Sequence, residues 1–494
     1  MKIKHIPDII VILLAVIFFA EFFAVAYFTF LNGGYSGFDL GKNNQSMWLL
    51  SHFRYPFNTI MGMNTFGDHM HLVFIFLIPF YLLWQTPACL LFINIAFRSI
   101  GIYIAYLLAK KILNNIPLAV FFALLLAINP EYGNASIDHF YPEELAPPLI
   151  LAAFYFILKE NPIWFFASLF LIASVKEDAP SISFMITALF LVKNIKSYKT
   201  NKKIITITVL FLVFLAAYFL ISVRVISALS NNQRGFSDGR VFGSLLANLF
   251  NWDFYKTQLT APETSKYIDS ILGPFGYTPI LSPDIFILCA PSFIFNILTP
   301  WPYARNITFH YSVYITPILL VSVMYLFNRI ISLQKTLKIK NAIAYPIIVI
   351  LASFILYNAL LYNSSLSKVP IYNYPHNIQD NIEWYNTDQE RIDFETAAKL
   401  IPPYANVSSD VFLVTRLTNR PYIYQYTNPW KSLYWGNPGD DKPADNRTIQ
   451  YIIVKYSLLS GYDKSLIDNM TLKNEFKIAY KSENAQIMLL QRVK

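Results

Sequence analysis

Apolar residues in this chain gather into near-continuous runs of 14 to 23 residues between positions 9 and 362, separated by short charged or proline-rich stretches. A helix that is apolar on every side belongs in a bilayer, not on one flank of a water-soluble core. The pattern predicts spans at 9–31, 87–109, 116–129, 145–158, 162–175, 179–192, 204–226, 309–327 and 342–362. Two further segments, 70–86 and 279–298, are apolar but less regular, and read either as spans or as interfacial or re-entrant pieces. After residue 362 the pattern changes. Short β-branched or aromatic runs at 406–414, 421–426, 450–455, 476–480 and 487–492, with a helical stretch near 386–400, predict a small α/β domain. The chain therefore divides into a transmembrane domain, residues 1–362, and a C-terminal domain, residues 363–494.

Composition agrees and charge adds an orientation. Of 494 residues 55% are hydrophobic and 14% charged, against roughly a quarter charged in a soluble protein, which excludes a soluble globular fold. The net charge of +9 meets no nucleic-acid motif, so no nucleic-acid partner is expected. If 70–86 and 279–298 do not cross, one side of the membrane collects Lys2, Lys4, Lys110, Lys111, Lys159, Lys193, Lys196, Lys199, Lys202, Lys203, Arg329, Lys335, Lys338 and Lys340, 14 basic residues against two acidic ones. The longer loops on the other side hold eight basic and thirteen acidic residues. The positive-inside rule then gives about nine transmembrane helices in a multi-pass cell-membrane protein, with a cytoplasmic N-terminus and an extracytoplasmic C-terminal domain. The first run is too long, and lacks the small-residue cleavage site, for a signal peptide. Seven N-x-S/T sequons, at Asn44, Asn134, Asn306, Asn363, Asn406, Asn446 and Asn469, fall on that same outer side, a weak corroboration. Cys89 and Cys289 lie in apolar segments and imply no disulfide framework.

Several predicted spans have only 14 residues, short of the ~20 that cross a bilayer. Their polar flanks must enter the membrane and line a cavity open to the outer side. The candidate chemistry lies on those flanks. Gly33 to Gly41 carries Asp39 at the expected membrane surface, followed by an amphipathic stretch with Gln45 and Trp48. A carboxylate there can act as general base toward an acceptor hydroxyl, hold a divalent cation such as Mg or Mn, or cap the helix that follows. Asp68, His69 and His71 suit metal or phosphate contact, or a helix entrance. Asp138, His139, Glu143 and Glu144 crowd the second outer loop, and Lys176, Glu177 and Asp178 the third. Arg305 and His310, beside Trp301, Tyr303 and Tyr311, suit the phosphate of a headgroup on an apolar tail, or an anchor belt. Glu21 and Arg98 fall near the middle of the first and second spans, at similar depth, and predict a buried ion pair joining them. The C-terminal domain carries no phosphate loop, metal spacing or nucleophile elbow, so its expected role is accessory.

These residues carry a resemblance. Phe38-Asp39-Leu40-Gly41 with Gln45 and Trp48, Asp68-His69, Asp138-His139-Phe140 with Glu143, Lys176-Glu177-Asp178, and His310-Tyr311 with Pro317 resemble, in order over about residues 30–325, a prokaryotic family of predicted membrane proteins catalogued as domain of unknown function 2079. That family is similar to the glycosyltransferase C (GT-C) superfamily of membrane enzymes using polyprenyl-phosphate-linked sugars. The resemblance implies a GT-C-like α-helical polytopic fold and a membrane glycosyltransferase that moves a sugar from such a donor to a glycan, lipid or protein acceptor on the extracytoplasmic face. It implies Asp39 as the catalytic residue, and Asp68, His69, Asp138, His139, Glu143, Glu177 and Asp178 as the cavity. Lys176, Arg305 and His310 would bind the lipid phosphate. Where many GT-C members carry an acidic pair this chain has Asp39 alone, with Lys42 just beyond it, which leaves the metal unassigned. The alternative is a non-catalytic lipid or solute transporter or flippase; it predicts inverted repeats and charges at mid-membrane, whereas here the charges cluster at one face.

Overall fold

The computed structural model describes residues 5–195, 202–230, 234, 242–431, 445–483 and 486–493. Lys2, Lys4, Lys196 and Lys199 of the charge count lie outside the described residues. All nine apolar stretches are helical, because a chain in hydrocarbon must satisfy its own backbone. The helices are α1 (Ile6–Leu31), α2 (Lys42–Ser51), α3 (Val73–Leu83), α4 (Pro87–Leu113), α5 (Ile116–Ala127), α6 (Pro130–Ile137), α7 (Ala146–Leu158), α8 (Pro162–Ala173), α9 (Pro180–Asn194), α10 (Lys202–Leu229), α11 (Pro262–Leu272), α12 (Ala290–Leu298), α13 (Ile315–Thr336) and α14 (Asn341–Leu366). Side chains of Thr86, Asn115 and Asn161 accept from the first turns of α4, α5 and α8, each of which has a proline at its first or second position.

Five helices, α1, α4, α10, α13 and α14, are long and apolar enough to cross a membrane, and α5 with α6, bent by 47° between them, would make a sixth. The remaining stretches of the predicted nine, α7, α8 and α9, have 13, 12 and 15 residues. At 1.5 Å per residue they reach roughly 18 to 23 Å, less than the hydrocarbon thickness of about 30 Å. The polar loops at their ends therefore sink below the level of the long helices.

Contacts between helix ends fix which ends share a face. Lys110 Nζ near the end of α4 lies 3.5 Å from Asp8 at the start of α1, and Lys193 at the end of α9 lies 5.2 Å over the Tyr325 ring at the middle of α13. At the opposite face, Val73 N–H donates to Ser174 O after α8 (2.9 Å), and Asn363 Nδ2 near the end of α14 donates to Ile128 O after α5 (2.9 Å). The helix α3 starts by Ser174 and ends with Tyr81 OH donating to Asn44 Oδ1 (2.9 Å), so segment 70–86 leaves and rejoins the same face without crossing. Segment 279–298 belongs to a hairpin. The chain descends through α11 to Leu281 and Asp284, which meet Arg329 about 21 Å along α13, and returns through α12. There Asn296 Nδ2 donates to Tyr311 O (3.0 Å). Both irregular segments return to the side they left, and the helices long enough to cross number five, or six with the bent pair, among the described residues, against the nine predicted.

The predicted Glu21–Arg98 pair does not form. Arg98 turns toward α6 and the residues before α7, where its guanidinium donates to Tyr132 O (2.8 and 3.2 Å) and Glu144 O (3.3 Å) and lies over the Tyr132 ring. Glu21 faces Asn377 and Tyr374 beyond the membrane helices. Their depth matches, but helix rotation about its axis, which depth does not specify, points them apart.

The C-terminal domain contains α15 (His376–Thr387), α16 (Gln389–Ala398) and α17 (Gly461–Leu472) with β1 (Val407–Ser409), β2 (Ile423–Gln425), β3 (Tyr451–Lys455), β4 (Phe476–Lys481) and β5 (Ile487–Arg492). They form a mixed sheet in the order β2-β1-β3-β5-β4, with β1 parallel to both β2 and β3 and β5 antiparallel to both β3 and β4. All five predicted strands are present. One of the domain's apolar clusters also takes in Ile60 from the first loop of the membrane domain.

Candidate active site

Three loops and the turn before α13 converge at the face that carries the C-terminal domain. Asp39 sits on a π-helical turn, Gly37–Gly41. The α2 N-terminus has no side-chain cap, so Asp39 is not a capping residue. It lies 4.0 Å from His139 Nε2 and takes a hydrogen bond from Tyr141. Burial, then the nearby Asp39 and Asp138 charges, hold the Tyr141 hydroxyl well above its usual range, so it stays a donor.

Deeper in, Lys176 Nζ meets Glu143 Oε1 at 3.0 Å, and the same oxygen lies 3.3 Å from His310 Nε2. The His310 ring stacks on Tyr141, centroids 3.5 Å apart, which joins this group to Asp39 through one tyrosine. Burial alone would raise Glu143, yet the charge of Lys176 brings it below the carboxylate range. Burial would also strip the proton from Lys176, but Glu143, Asp178 and Glu177 hold it cationic. His310 is pushed by burial down to about 3, against the pull of Glu143, and is neutral. Asp178 is raised by burial to about 6 and accepts a hydrogen bond from Tyr314 OH at 3.2 Å.

Around Glu143, Lys176, Asp178 and His310 is a cavity of about 170 Å³, completed by Ser181, Asn296, Tyr311 and Tyr314 on its polar side and Phe219, Pro291 and Phe295 on its apolar side. Glu143 Oε2 and His310 Nδ1 are buried there without a hydrogen-bond partner. Buried polar atoms are rarely left so unless a ligand or water completes them.

The other predicted residues surround this centre. Asp138 is bound by Lys368 (3.0 Å) and neighbours His139 (3.7 Å). His69 Nδ1 lies 2.8 Å from Glu177 Oε1; burial works against its proton, and the Glu177 and Asp68 charges nonetheless raise it. Asp68 is held by Lys42 (2.7 Å) and Arg234 (3.3 Å), so the charge at Lys42 that stood out in the sequence is one side of a buried ion pair. Arg305 does not join His310. Its guanidinium donates to Gln258 Oε1 (3.1 Å) and Thr264 Oγ1 (3.2 Å), away from the cavity lining. The sequence missed Tyr141, Tyr314, Lys368 and Arg234, since single aromatic and basic residues in loops carry no spacing signal. Among the described residues no three His, Cys, Asp or Glu side chains converge as a metal site. Asp39 has one imidazole nearby, Asp68, Asp138, Glu143 and Glu177 are engaged by basic groups and Asp178 by Tyr314, so the donor set does not fit Mg or Mn, which need several oxygen ligands. The sequons are also clarified: Asn44, Asn134 and Asn363 are buried and hydrogen-bonded, which closes them to glycosylation.

A family model described as Predicted membrane protein (DUF2079) matches residues 34–486. Among solved structures, ArnT from Cupriavidus metallidurans bound to undecaprenyl phosphate aligns with a TM-score of 0.54 at 10% identity, over 97% of this chain and 98% of that one. The apo state of the same protein aligns at 0.50 and 10% identity, over 93% and 94%. The Archaeoglobus fulgidus oligosaccharyltransferase aligns at 0.44 and 11% identity, over 98% of this chain and 74% of that one. No curated protein matches the sequence.

Proposed function

Because the chain belongs to the DUF2079 family of predicted membrane proteins and has a GT-C-like fold, we propose that it transfers a sugar from a polyprenyl-phosphate-linked donor to an acceptor. The carrying observation is the cavity, in which the buried cation of Lys176 faces an apolar flank of Phe219, Pro291 and Phe295. That combination suits a phosphate on an apolar tail, and undecaprenyl phosphate is such a molecule in the aligned ArnT structure. In this reading Asp39 takes the proton of the acceptor hydroxyl as its oxygen attacks the sugar's anomeric carbon, the bond from that carbon to the phosphate oxygen breaks, and polyprenyl phosphate leaves. Lys176 offsets the charge that develops on the phosphate, and His310, whose Nε2 faces Glu143, holds that carboxylate in place beside it. Lys176 replaces Arg305 as the principal phosphate partner, since Arg305 is engaged elsewhere. Asp68, His69, Asp138, His139, Glu143 and Glu177 hold the cavity walls in register through their ion pairs, and Asp178 through its hydrogen bond from Tyr314. The active face is extracytoplasmic, where nucleotide sugars are absent and a lipid-linked donor supplies the sugar; the acceptor is a glycan, lipid or protein reached from that face.

Farnesyl phosphate binding to the detergent-solubilised chain tests this. Wild type and Arg305→Ala are expected to bind alike and Lys176→Met at least about tenfold more weakly, since a charge-assisted contact to phosphate contributes about 1.5–3 kcal/mol. Absence of binding to wild type would instead support a lipid or solute transporter, for which flux into vesicles is the assay.

A further inference from the structure

The turn carrying Asp39 is built from both domains. The segment 411–418, between β1 and β2, lies directly on residues 31–41. Gly37 N–H donates to Val411 O at 2.8 Å. Thr415 Oγ1 donates to Tyr35 O at 3.0 Å, and Arg416 Nη1 to Leu31 O at the end of α1 at 2.8 Å. Packing is as close as the bonding: a Cβ on Gly37 would stand 2.1 Å from Val414 Cγ1, and one on Gly41 would stand 3.3 Å from Thr415 Oγ1. On the membrane-domain side, Tyr35 OH donates to Ile137 O (2.9 Å) and Asn43 Nδ2 to Phe140 O (2.7 Å), fastening the turn to the loop that bears Asp138 and His139. Asp39 is thus held between two partners, of which one is the C-terminal domain.

We propose that segment 411–418 positions Asp39, with Thr415 as a positioning residue, so that the C-terminal domain is part of the active site and not an accessory. This rests on the role given to Asp39 above. A π-helical turn of five residues, two of them glycine, has little intrinsic preference for its geometry, and groups on such turns work only when neighbours lock them. The lock here is non-local, from residues nearly 380 positions away.

Hydrogen exchange on the full-length chain in nanodiscs tests the clamp directly. Thr415→Val keeps the shape and removes the bond to Tyr35 O; peptides covering 35–41 are expected to exchange about tenfold faster, with β3 and β5 unchanged and Thr415→Ser like wild type. Unchanged exchange at 35–41 overturns the proposal. A second pair avoids reliance on one bond: Gly37→Ala should loosen the same peptides by collision with Val414, and Gly37→Ala with Val414→Ala should restore them. Turnover, read as farnesyl phosphate released from farnesyl-phosphate-linked sugars, should fall roughly 10- to 100-fold in Thr415→Val with farnesyl phosphate affinity unchanged. If Asp39→Asn is inactive while Thr415→Val turns over normally, the positioning role is wrong. If Asp39→Asn turns over like wild type, the catalytic reading fails, and the exchange result still decides whether the clamp exists.

Discussion

Within the site each charge is defined by one or two partners, and His310 is the clearest case. It is buried between Glu143, 3.3 Å away, and the stacked Tyr141 ring, and burial brings it down to about 3. An unfolded histidine titrates near 6.5. Between these values the unfolded chain binds a proton that the folded chain does not, so this group lowers stability as pH falls from about 6.5 toward 3. His71, lowered by burial to about 4, acts with the same sign. Replacing His310 with Asn should remove one titrating proton from that window. Thermal unfolding at pH 6.5, 5 and 4 should show a shallower loss in the variant, by about 1.4 kcal/mol per pH unit. A loss parallel to that of wild type would mean His310 is protonated in the folded state.

Among the elements, close approach of α4 to its neighbours depends on Gly101. A Cβ there would stand 2.4 Å from Tyr132 OH and 3.3 Å from Pro148. Tyr132 OH donates to Arg98 O at 2.6 Å, and the Tyr132 carbonyl receives the Arg98 guanidinium. One small residue therefore allows the contact that satisfies the donors of a fully buried arginine within the bundle. Gly101→Ala is expected to displace Tyr132 and destabilise the solubilised protein by about 1–3 kcal/mol. Gly461→Ala, where nothing lies within 4 Å of the added methyl and only the positive φ is strained, should cost about 1 kcal/mol. Thermal unfolding of the two variants side by side checks the order.

For the whole molecule, the docking of the C-terminal domain on loop 32–68 places it at the face opposite Asp8 and Lys110. By the lysine count, that face is expected to be extracytoplasmic. Both native cysteines are buried, so an introduced cysteine gives a clean signal. In intact cells Tyr404→Cys, in the C-terminal domain and exposed, should react with a membrane-impermeant maleimide, and Leu337→Cys, exposed between α13 and α14, should react only after permeabilisation. The reverse pattern would put the site on the cytoplasmic side and remove the need for a lipid-linked donor.

The apolar helices, the strands of the C-terminal domain and the gathering of Asp39, Asp138, Glu143, Lys176 and His310 were legible in the sequence, whereas the number of helices long enough to cross was not. Each depends on local pattern: apolar runs must be helical in lipid, alternating runs pair as strands, and short helices leave their polar flanks at a common level. Tertiary structure alone decided which charges meet. Depth along a helix is set by residue count, but the direction a side chain faces is set by packing, which is why Glu21 and Arg98 part and Lys42 finds Asp68. The same holds for Arg305, drawn to Gln258 and Thr264 by the descent of α11, and for the clamp on Asp39. Its two halves are far apart in the chain, and no periodicity couples residues at that separation.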